Sequence, residues 1–139
     1  MVKGLATNTA QGDSIYKEYF EKLDFTLLTS ISEGQPLSVL ESFAAGRPCV
    51  TTDVGCCKEL IYGEGDDNLG QAGYCVPPMQ PHALARAMED MCHNRARRLQ
   101  MGRGAKRRVA EDFRHEDMIS HCITFGTPYE GANKLLNVI

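Results

Sequence analysis

The sequence predicts an α/β fold in which helices flank a doubly wound parallel sheet. Three short runs of apolar and β-forming residues alternate with segments whose apolar residues recur every three or four positions. The runs lack polar alternation, which is typical of parallel strands that are buried on both faces. Sheets of this class bind ligands outside the carboxyl ends of their strands, so the loops after the three runs are the expected location of a site.

Each predicted element has a local signal. Pro36 suits the first position of a helix, Gly46 suits the position after its last residue, and Pro81 opens a later helix in the same way. The predicted strands cover residues 25–29, 48–52 and 73–76. The predicted helices cover residues 13–23, 36–45, about 57–61, a segment that begins at 81, 95–113 and 116–123. The helix from 81 has an apolar stripe at 84, 88 and 91, and the helix over 95–113 has residues 102, 105 and 109 on one face.

Composition narrows the class of protein. The chain has 139 residues, of which 42% are hydrophobic, enough for one globular domain with a core. A net charge of −3 does not favour nucleic-acid binding. No apolar run reaches the about 18 residues that a membrane span requires, and the first residues lack a signal-peptide core. We therefore expect a cytoplasmic location.

Six cysteines leave two interpretations open. Their even number is compatible with three disulfides, but without an export signal we favour reduced thiols. Cys49 and Cys92 lie in patterns that suit small buried hydrophobic residues. No pair has the C-x-x-C spacing, so no metal site is predicted, although a redox or metal protein remains a rival interpretation. The adjacent pair Cys56 and Cys57 is either redox-active or part of a packed turn.

Two carboxylates eight positions apart, Glu33 and Glu41, flank a predicted helix N-terminus. The free backbone N–H groups and partial positive charge of such a terminus favour a phosphate, and Gly34 has no side chain to keep a ligand away. Glu41 is roughly 7–8 Å along the helix from Pro36, so a diphosphate at the terminus would bring a ribose near Glu41 and an attached sugar near Glu33. The alternative is that both are ordinary solvated carboxylates beside a helix dipole.

The stretch from Phe25 to Gly55 closely resembles the E-x7-E region of family 4 retaining glycosyltransferases with the GT-B fold. Residues 41–50 match the family pattern E-A-M-A-x-G-x-P-V, and residues 73–78 resemble its G-x-L-V-P-P segment. The resemblance covers residues 14–124. It implies a partial Rossmann-like parallel sheet with flanking helices, the C-terminal half of a GT-B fold, and hexose transfer from a nucleotide sugar in polysaccharide synthesis without a metal.

Three segments resemble the PelF-type enzymes of Pel exopolysaccharide synthesis, a bacterial system: residues 30–37, 53–60 and 63–70. Most members of the wider family have Gly-Gly where this chain has Gly55 and Cys56. The resemblance to this branch implies UDP-glucose as the donor.

The resemblance also implies roles for individual residues. Glu33 would contact the donor sugar close to the reacting carbon, as the catalytic residue, and Glu41 would hold the ribose hydroxyls. The remaining donor-binding residues would lie near the diphosphate through their backbones: Gly34, Gln35, Leu37 and Ser38.

Other parts of the family pattern are missing from the sequence. The resemblance implies that the phosphate-binding Arg and Lys belong to an earlier βαβ stretch, which residues 1–12 are too short to hold, and we expect the acceptor-binding domain to be absent as well. We therefore expect residues 1–139 to form a single truncated donor-binding domain, inactive by itself, with a poorly defined tail over 125–139. The rival is a non-catalytic nucleotide-binding or scaffold module. The basic helix over 95–108 is either a solvated face or a contact to an anionic membrane.

Overall fold

Three parallel strands with helices on both faces make up the part of the chain that the computed structural model describes, residues 18–34, 36–63 and 68–112. Residues 18–22 are helical. The labelled elements are β1 (Thr26–Leu28), α1 (Leu37–Ala44), β2 (Cys49–Thr52), α2 (Cys57–Tyr62), β3 (Gly73–Val76), α3 (Pro81–His93) and α4 (Arg95–Asp112). The predicted α/β class is confirmed.

The strands lie in the order β1-β2-β3, and both neighbouring pairs are parallel. Thr26 pairs with Cys49, and Cys49 in turn pairs with Gly73. Each pair of strands is joined through a crossover helix, α1 between β1 and β2 and α2 between β2 and β3, as parallel pairing requires. The carboxyl ends of all three strands therefore meet at one edge of the sheet.

Two apolar clusters cover the two faces of the sheet. On the first face, α1, α2 and the second half of α4 bury their apolar residues against Cys49 and Ala72. On the second face, α3 and the first half of α4 pack against Val50 and Val76. The predicted apolar stripe of α3 and the predicted face of α4 both point into these clusters.

The prediction that the first strand is buried on both faces is wrong. Leu27 is 44% exposed, whereas all four residues of β2 are buried. The reason is position: β1 is one of the two edge strands of the described sheet, and the buried residues of the second cluster lie over β2 and β3 instead.

Helix boundaries follow the predicted signals closely. Pro81 is in the first turn of α3, as predicted. Pro36 was predicted to be the first helical residue, but it is the N-cap of α1, because its ψ of 106° is still extended. The helix therefore begins one residue later than predicted, at Leu37. Gly46 has a φ of 69°, and its N–H donates to Phe43 O (2.8 Å) while the N–H of Arg47 donates to Ser42 O (2.8 Å). This pair of bonds is a Schellman motif, which ends α1 at the predicted glycine.

Helix α4 crosses the amino ends of the strands. A Cβ at Gly102 would overlap Gly46 O, so a glycine is needed where α4 meets the turn before β2. The guanidinium of Arg108 donates to Gly70 O (2.7 Å), and that of Arg107 donates to Leu69 O (3.0 Å). Arg108 is 1% exposed. The sequence left two interpretations of the basic helix open, a solvated face and a membrane contact. Arg108 fits neither of them, because it is buried.

The described cysteines, at 49, 56, 57, 75 and 92, are free. Cys49 and Cys57 are buried. Cys92 is exposed, so its predicted burial is wrong: in α3 it lies about 100° around the helix axis from the buried Met91, on the solvent side of the stripe.

Some predictions fall outside the described residues, namely the first part of the helix over 13–23, the helix over 116–123, the tail over 125–139 and the state of Cys122. Among the helices of the described segments, none has both the length and the apolarity needed to cross a membrane.

Candidate functional site

Glu33 lies in the loop that leaves the carboxyl end of β1, and it is held there by two hydrogen bonds in series. The hydroxyl of Ser30 donates to Glu33 Oε1 (2.6 Å). The hydroxyl of Thr52, the last residue of β2, donates to Ser30 O (2.6 Å). The half-buried carboxylate is thus tied through Ser30 to the neighbouring strand, which restricts its position before any ligand arrives.

The turn after β2 packs against the same loop. Gly55 has a φ of 55°, and a Cβ at this position would overlap the carbonyl oxygens of both Glu33 and Gly34. The N–H of Cys56 donates to Gly34 O (3.2 Å). The loop after β1 and the turn after β2 therefore pack backbone against backbone, which only glycine permits at position 55.

Gly34 faces open space on its other side. A Cβ placed there would have no described atom within 4 Å. This is the geometry expected where a ligand approaches the backbone closely. Gln35, the next predicted donor-binding residue, lies outside the described residues.

Helix α1 begins directly after this loop. Its N-cap is Pro36, no described side chain caps the terminus, and its first turn contains no acidic residue. The N–H of Val39 is used by Pro36 O (3.1 Å). The side chain of Leu37 packs against the core, and Ser38 is exposed. Both residues belong to the first turn, where backbone N–H groups have no partner within the helix. No carboxylate in this turn offsets the positive end of the helix dipole.

Glu41 lies about one turn further along α1 and is half-buried. Its neighbour Ser42 anchors the helix to the sheet: Ser42 Oγ and Thr26 Oγ1 lie 2.8 Å apart, and Ser42 Oγ donates to Arg47 O (2.9 Å). The structure thus brings Glu33, Gly34 and the start of α1 together at the carboxyl end of the sheet, with Glu41 on the same helix.

Two thiols near this edge, those of Cys56 and Cys75, are held in their protonated form. Burial raises the pKa of Cys75 to about 12, and the nearby negative charge of Asp53 adds to the effect. Burial also raises the pKa of Cys56. Because the thiolate is the reactive form, the raised pKa of Cys56 favours the packed-turn interpretation of this turn over the redox-active one.

Within the described segments, no three or more His, Cys, Asp or Glu side chains lie together in a way that could hold a metal ion. A pocket of about 240 Å³ lies between α4 and residues 69–71, at the amino end of the sheet, and no predicted site residue lines it. The predicted site is an open surface at the opposite end.

Sequence reasoning missed three residues that shape the site, Ser30, Thr52 and Cys56. The spacing S-x-x-E of Ser30 and Glu33 was a usable signal, since this spacing lets a hydroxyl and a carboxylate meet across a turn. Thr52, at the end of β2, and Cys56, in the turn that follows, each contact the separate loop after β1, and no local pattern encodes such contacts.

Comparison with known proteins gives consistent results. The family model described as glycosyl transferases group 1 matches residues 9–108. Two proteins of Escherichia coli, named O-antigen biosynthesis glycosyltransferase WbnH and probable O-antigen biosynthesis glycosyltransferase WbiN, are each 43% identical over 61 residues, 40% of this chain. The matched segment spans 17% of the length of each relative. Because the family model covers more than half of its residues, the chain belongs to the glycosyl transferases group 1 family.

Proposed function

We propose that this chain is the donor-binding part of a retaining glycosyltransferase that transfers a hexose from a nucleotide sugar, UDP-glucose, during bacterial polysaccharide synthesis. The observation that carries the proposal is the fixed carboxylate of Glu33 beside the uncapped start of α1 at the carboxyl end of a parallel sheet. Membership of the family supports a nucleotide-sugar donor, and the names of the two relatives support a polysaccharide product.

The donor diphosphate would bind at the start of α1. The N–H groups of Leu37 and Ser38 would donate to its oxygens, and the exposed backbone of Gly34 would allow it to come close. Gln35 is also proposed as a donor-binding residue, on the family resemblance alone. A helix terminus favours an anion by about 0.3–1 kcal/mol at exposed sites and about 2 kcal/mol in partly buried ones. The terminus alone is a weak site, so the sugar and the nucleoside must add contacts.

Glu33 would provide the contact to the sugar. The hydroxyl of Ser30 occupies one carboxylate oxygen, Oε1, which leaves Oε2 to accept from a sugar hydroxyl. In a retaining transfer of this kind the leaving diphosphate assists the acceptor hydroxyl on the same face of the sugar. The protein then acts by positioning and electrostatics, and a carboxylate fixed before binding reduces the reorganisation that positioning requires.

Glu41 would bind the ribose hydroxyls through charge-assisted hydrogen bonds. Losing such bonds costs about 1.5–3 kcal/mol, which corresponds to roughly a 10- to 150-fold loss of affinity. Its place on a rigid helix, about one turn beyond Ser38, suits a nucleoside that extends from a diphosphate at the helix start.

The test is a titration of the 139-residue chain with UDP, followed by NMR or calorimetry. We expect Glu41→Ala to weaken UDP binding by roughly 10- to 150-fold. The matched control is Glu89→Ala, which removes an exposed glutamate from α3 and should leave the dissociation constant unchanged. Equal dissociation constants for the wild-type and Glu41→Ala chains would contradict the assignment of Glu41.

Turnover separates this proposal from a non-catalytic nucleotide-binding module. In an enzyme that joins this domain to an acceptor-binding domain, Glu33→Gln should slow the release of UDP from UDP-glucose in the presence of an acceptor, whereas a module binds UDP without releasing it from the sugar. A cytoplasmic location, a single domain over residues 1–139, and function without a metal are part of the proposal. A membrane contact would depend on the exposed basic residues of α4, which are Arg95, Arg97, Arg103, Lys106 and Arg107.

A further inference from the structure

We propose that Cys56 is a positioning residue that fixes the loop bearing Glu33 for the donor sugar. The inference rests on the proposed function, because it assigns Cys56 an effect on the part of the donor that Glu33 would contact. Cys56 itself is not placed against the donor. It acts through the carbonyl group of Gly34.

Two donors of Cys56 meet one acceptor. Its N–H donates to Gly34 O (3.2 Å), and its Sγ lies 3.3 Å from the same oxygen, in position to donate as well. A carbonyl oxygen has two lone pairs, so it accepts both bonds. The Cys56 side chain also packs against the first apolar cluster, which fixes its own direction. The carbonyl of Gly34 is therefore held inward while the other side of Gly34 remains open.

This contact lies at the point where the loop needs support. The tie from Thr52 to Ser30 and the bond from Ser30 to Glu33 act on the N-terminal side of the carboxylate. The contact from Cys56 acts between Glu33 and the start of α1. Movement of Gly34 would change the distance between the carboxylate and the helix terminus, which are the two groups that would hold the sugar and the diphosphate.

Most members of the wider family have Gly-Gly where this chain has Gly55 and Cys56, so the side chain at position 56 is a difference from the family pattern. A glycine there would keep the N–H bond to Gly34 O and would lose the bond from Sγ. A thiol is a weak donor, so its contribution lies at the low end of a neutral hydrogen bond, roughly a 2- to 5-fold effect on an equilibrium. Serine retains a donor at nearly the same position, and alanine does not.

The first arm of the experiment needs no ligand. We expect Cys56→Ala to shift or broaden the amide resonances of Glu33 and Gly34 in the full chain, and Cys56→Ser to restore them. Cys92→Ala, which removes an exposed thiol on α3, is the matched control and should leave both resonances in place. Unchanged Glu33 and Gly34 resonances in Cys56→Ala would overturn the proposal.

The second arm compares UDP-glucose with UMP, which lacks both the sugar and the second phosphate. Cys56→Ala should weaken UDP-glucose binding by roughly 2- to 5-fold and leave UMP binding unchanged, and Cys56→Ser should recover most of the loss. Equal weakening of both ligands would mean a general structural role and would overturn the inference. A wild-type chain that binds neither ligand overturns the proposed function and the donor-positioning role with it, while the amide comparison still decides whether Cys56 fixes the loop.

Discussion

The two ends of the sheet are built in opposite ways. At the amino end, α4 lies across the starts of the strands, and its arginines donate to the backbone carbonyls of Leu69 and Gly70. At the carboxyl end, the loops support each other through backbone contacts, and Gly34 and the start of α1 remain open. At the amino end, arginine side chains fix α4 to the loop before β3. At the carboxyl end, the loops are held by backbone contacts, and the surface beside them stays accessible.

The difference shows how charge is used in this chain. Arg98 donates to Met91 O (2.5 Å) and pairs with Asp24 (3.1 Å), and Arg97 lies 3.5 Å from Asp90 and over the ring of Tyr74. These cations are structural partners of carbonyls and carboxylates near the amino end. At the carboxyl end, Lys58 lies close enough to act on Cys75, and the start of α1 adds a positive potential from the backbone, which a count of charged residues does not register.

The carboxyl end should be the more sensitive to added atoms. Gly55→Ala would place a Cβ into the carbonyls of Glu33 and Gly34 at a φ of 55°, so we expect a loss of about 3–4 kcal/mol in the free energy of unfolding. Urea denaturation followed by circular dichroism measures it.

Gly34→Ala is the matched control for this change, because its Cβ would meet nothing within 4 Å. We expect a change of less than about 0.5 kcal/mol. Similar losses for the two variants would mean that the loop and the turn do not pack as described.

The amino end should be sensitive to removed atoms. Arg108→Ala deletes a side chain that is 1% exposed and a donor to Gly70 O, so we expect a loss of about 3 kcal/mol in the free energy of unfolding. Arg108→Met keeps most of the volume and should recover part of it. Arg103→Ala, on the exposed side of α4, should cost less than about 0.5 kcal/mol in the same denaturation experiment. A loss at Arg103 as large as that at Arg108 would restore the interpretation of α4 as a uniform basic face.

Local signals predicted the elements well because they are properties of single segments. Gly46 and Pro81 mark helix ends through backbone chemistry that acts within a few residues. The parallel direction of the strands followed from the alternation of strands and helices. The placement of Glu33 beside the start of α1 followed from the same alternation, because the loop between a strand and the next helix lies at the carboxyl edge.

Burial and long-range ties were not predictable from single segments. Leu27 has the sequence environment of a buried strand, and its exposure depends on which helix covers the sheet face. Arg108 belongs to a basic run, yet it is buried, and its guanidinium donates to the carbonyl of Gly70, 38 positions away. Cys56 meets Gly34 across 22 positions. Each of these depends on the relative placement of two segments.

The centre of the sheet, between the two ends, should respond to alkaline pH. Burial is the main cause that raises the pKa of Cys49 in β2 to about 11, from 9.0 in an unfolded chain. Below pH 9 the thiol is protonated in both states, so its contribution to stability is fully present. Between pH 9 and about 11 the unfolded chain releases the proton while the folded chain retains it, so stability falls as the pH rises.

Two pKa units correspond to a loss of up to about 2–3 kcal/mol from this residue alone. We therefore expect the urea midpoint to fall between pH 8 and pH 11, and to fall less in Cys49→Ala than in the wild-type chain. Cys92→Ala removes an exposed thiol and should retain the wild-type pH dependence. The raised pKa values of Cys75 and Tyr74, both about 12, act in the same direction, so part of the decline should persist in Cys49→Ala. A Cys49→Ala chain that declines as steeply as the wild type would mean that Cys49 is open to solvent, and that the sheet is not closed between its two ends.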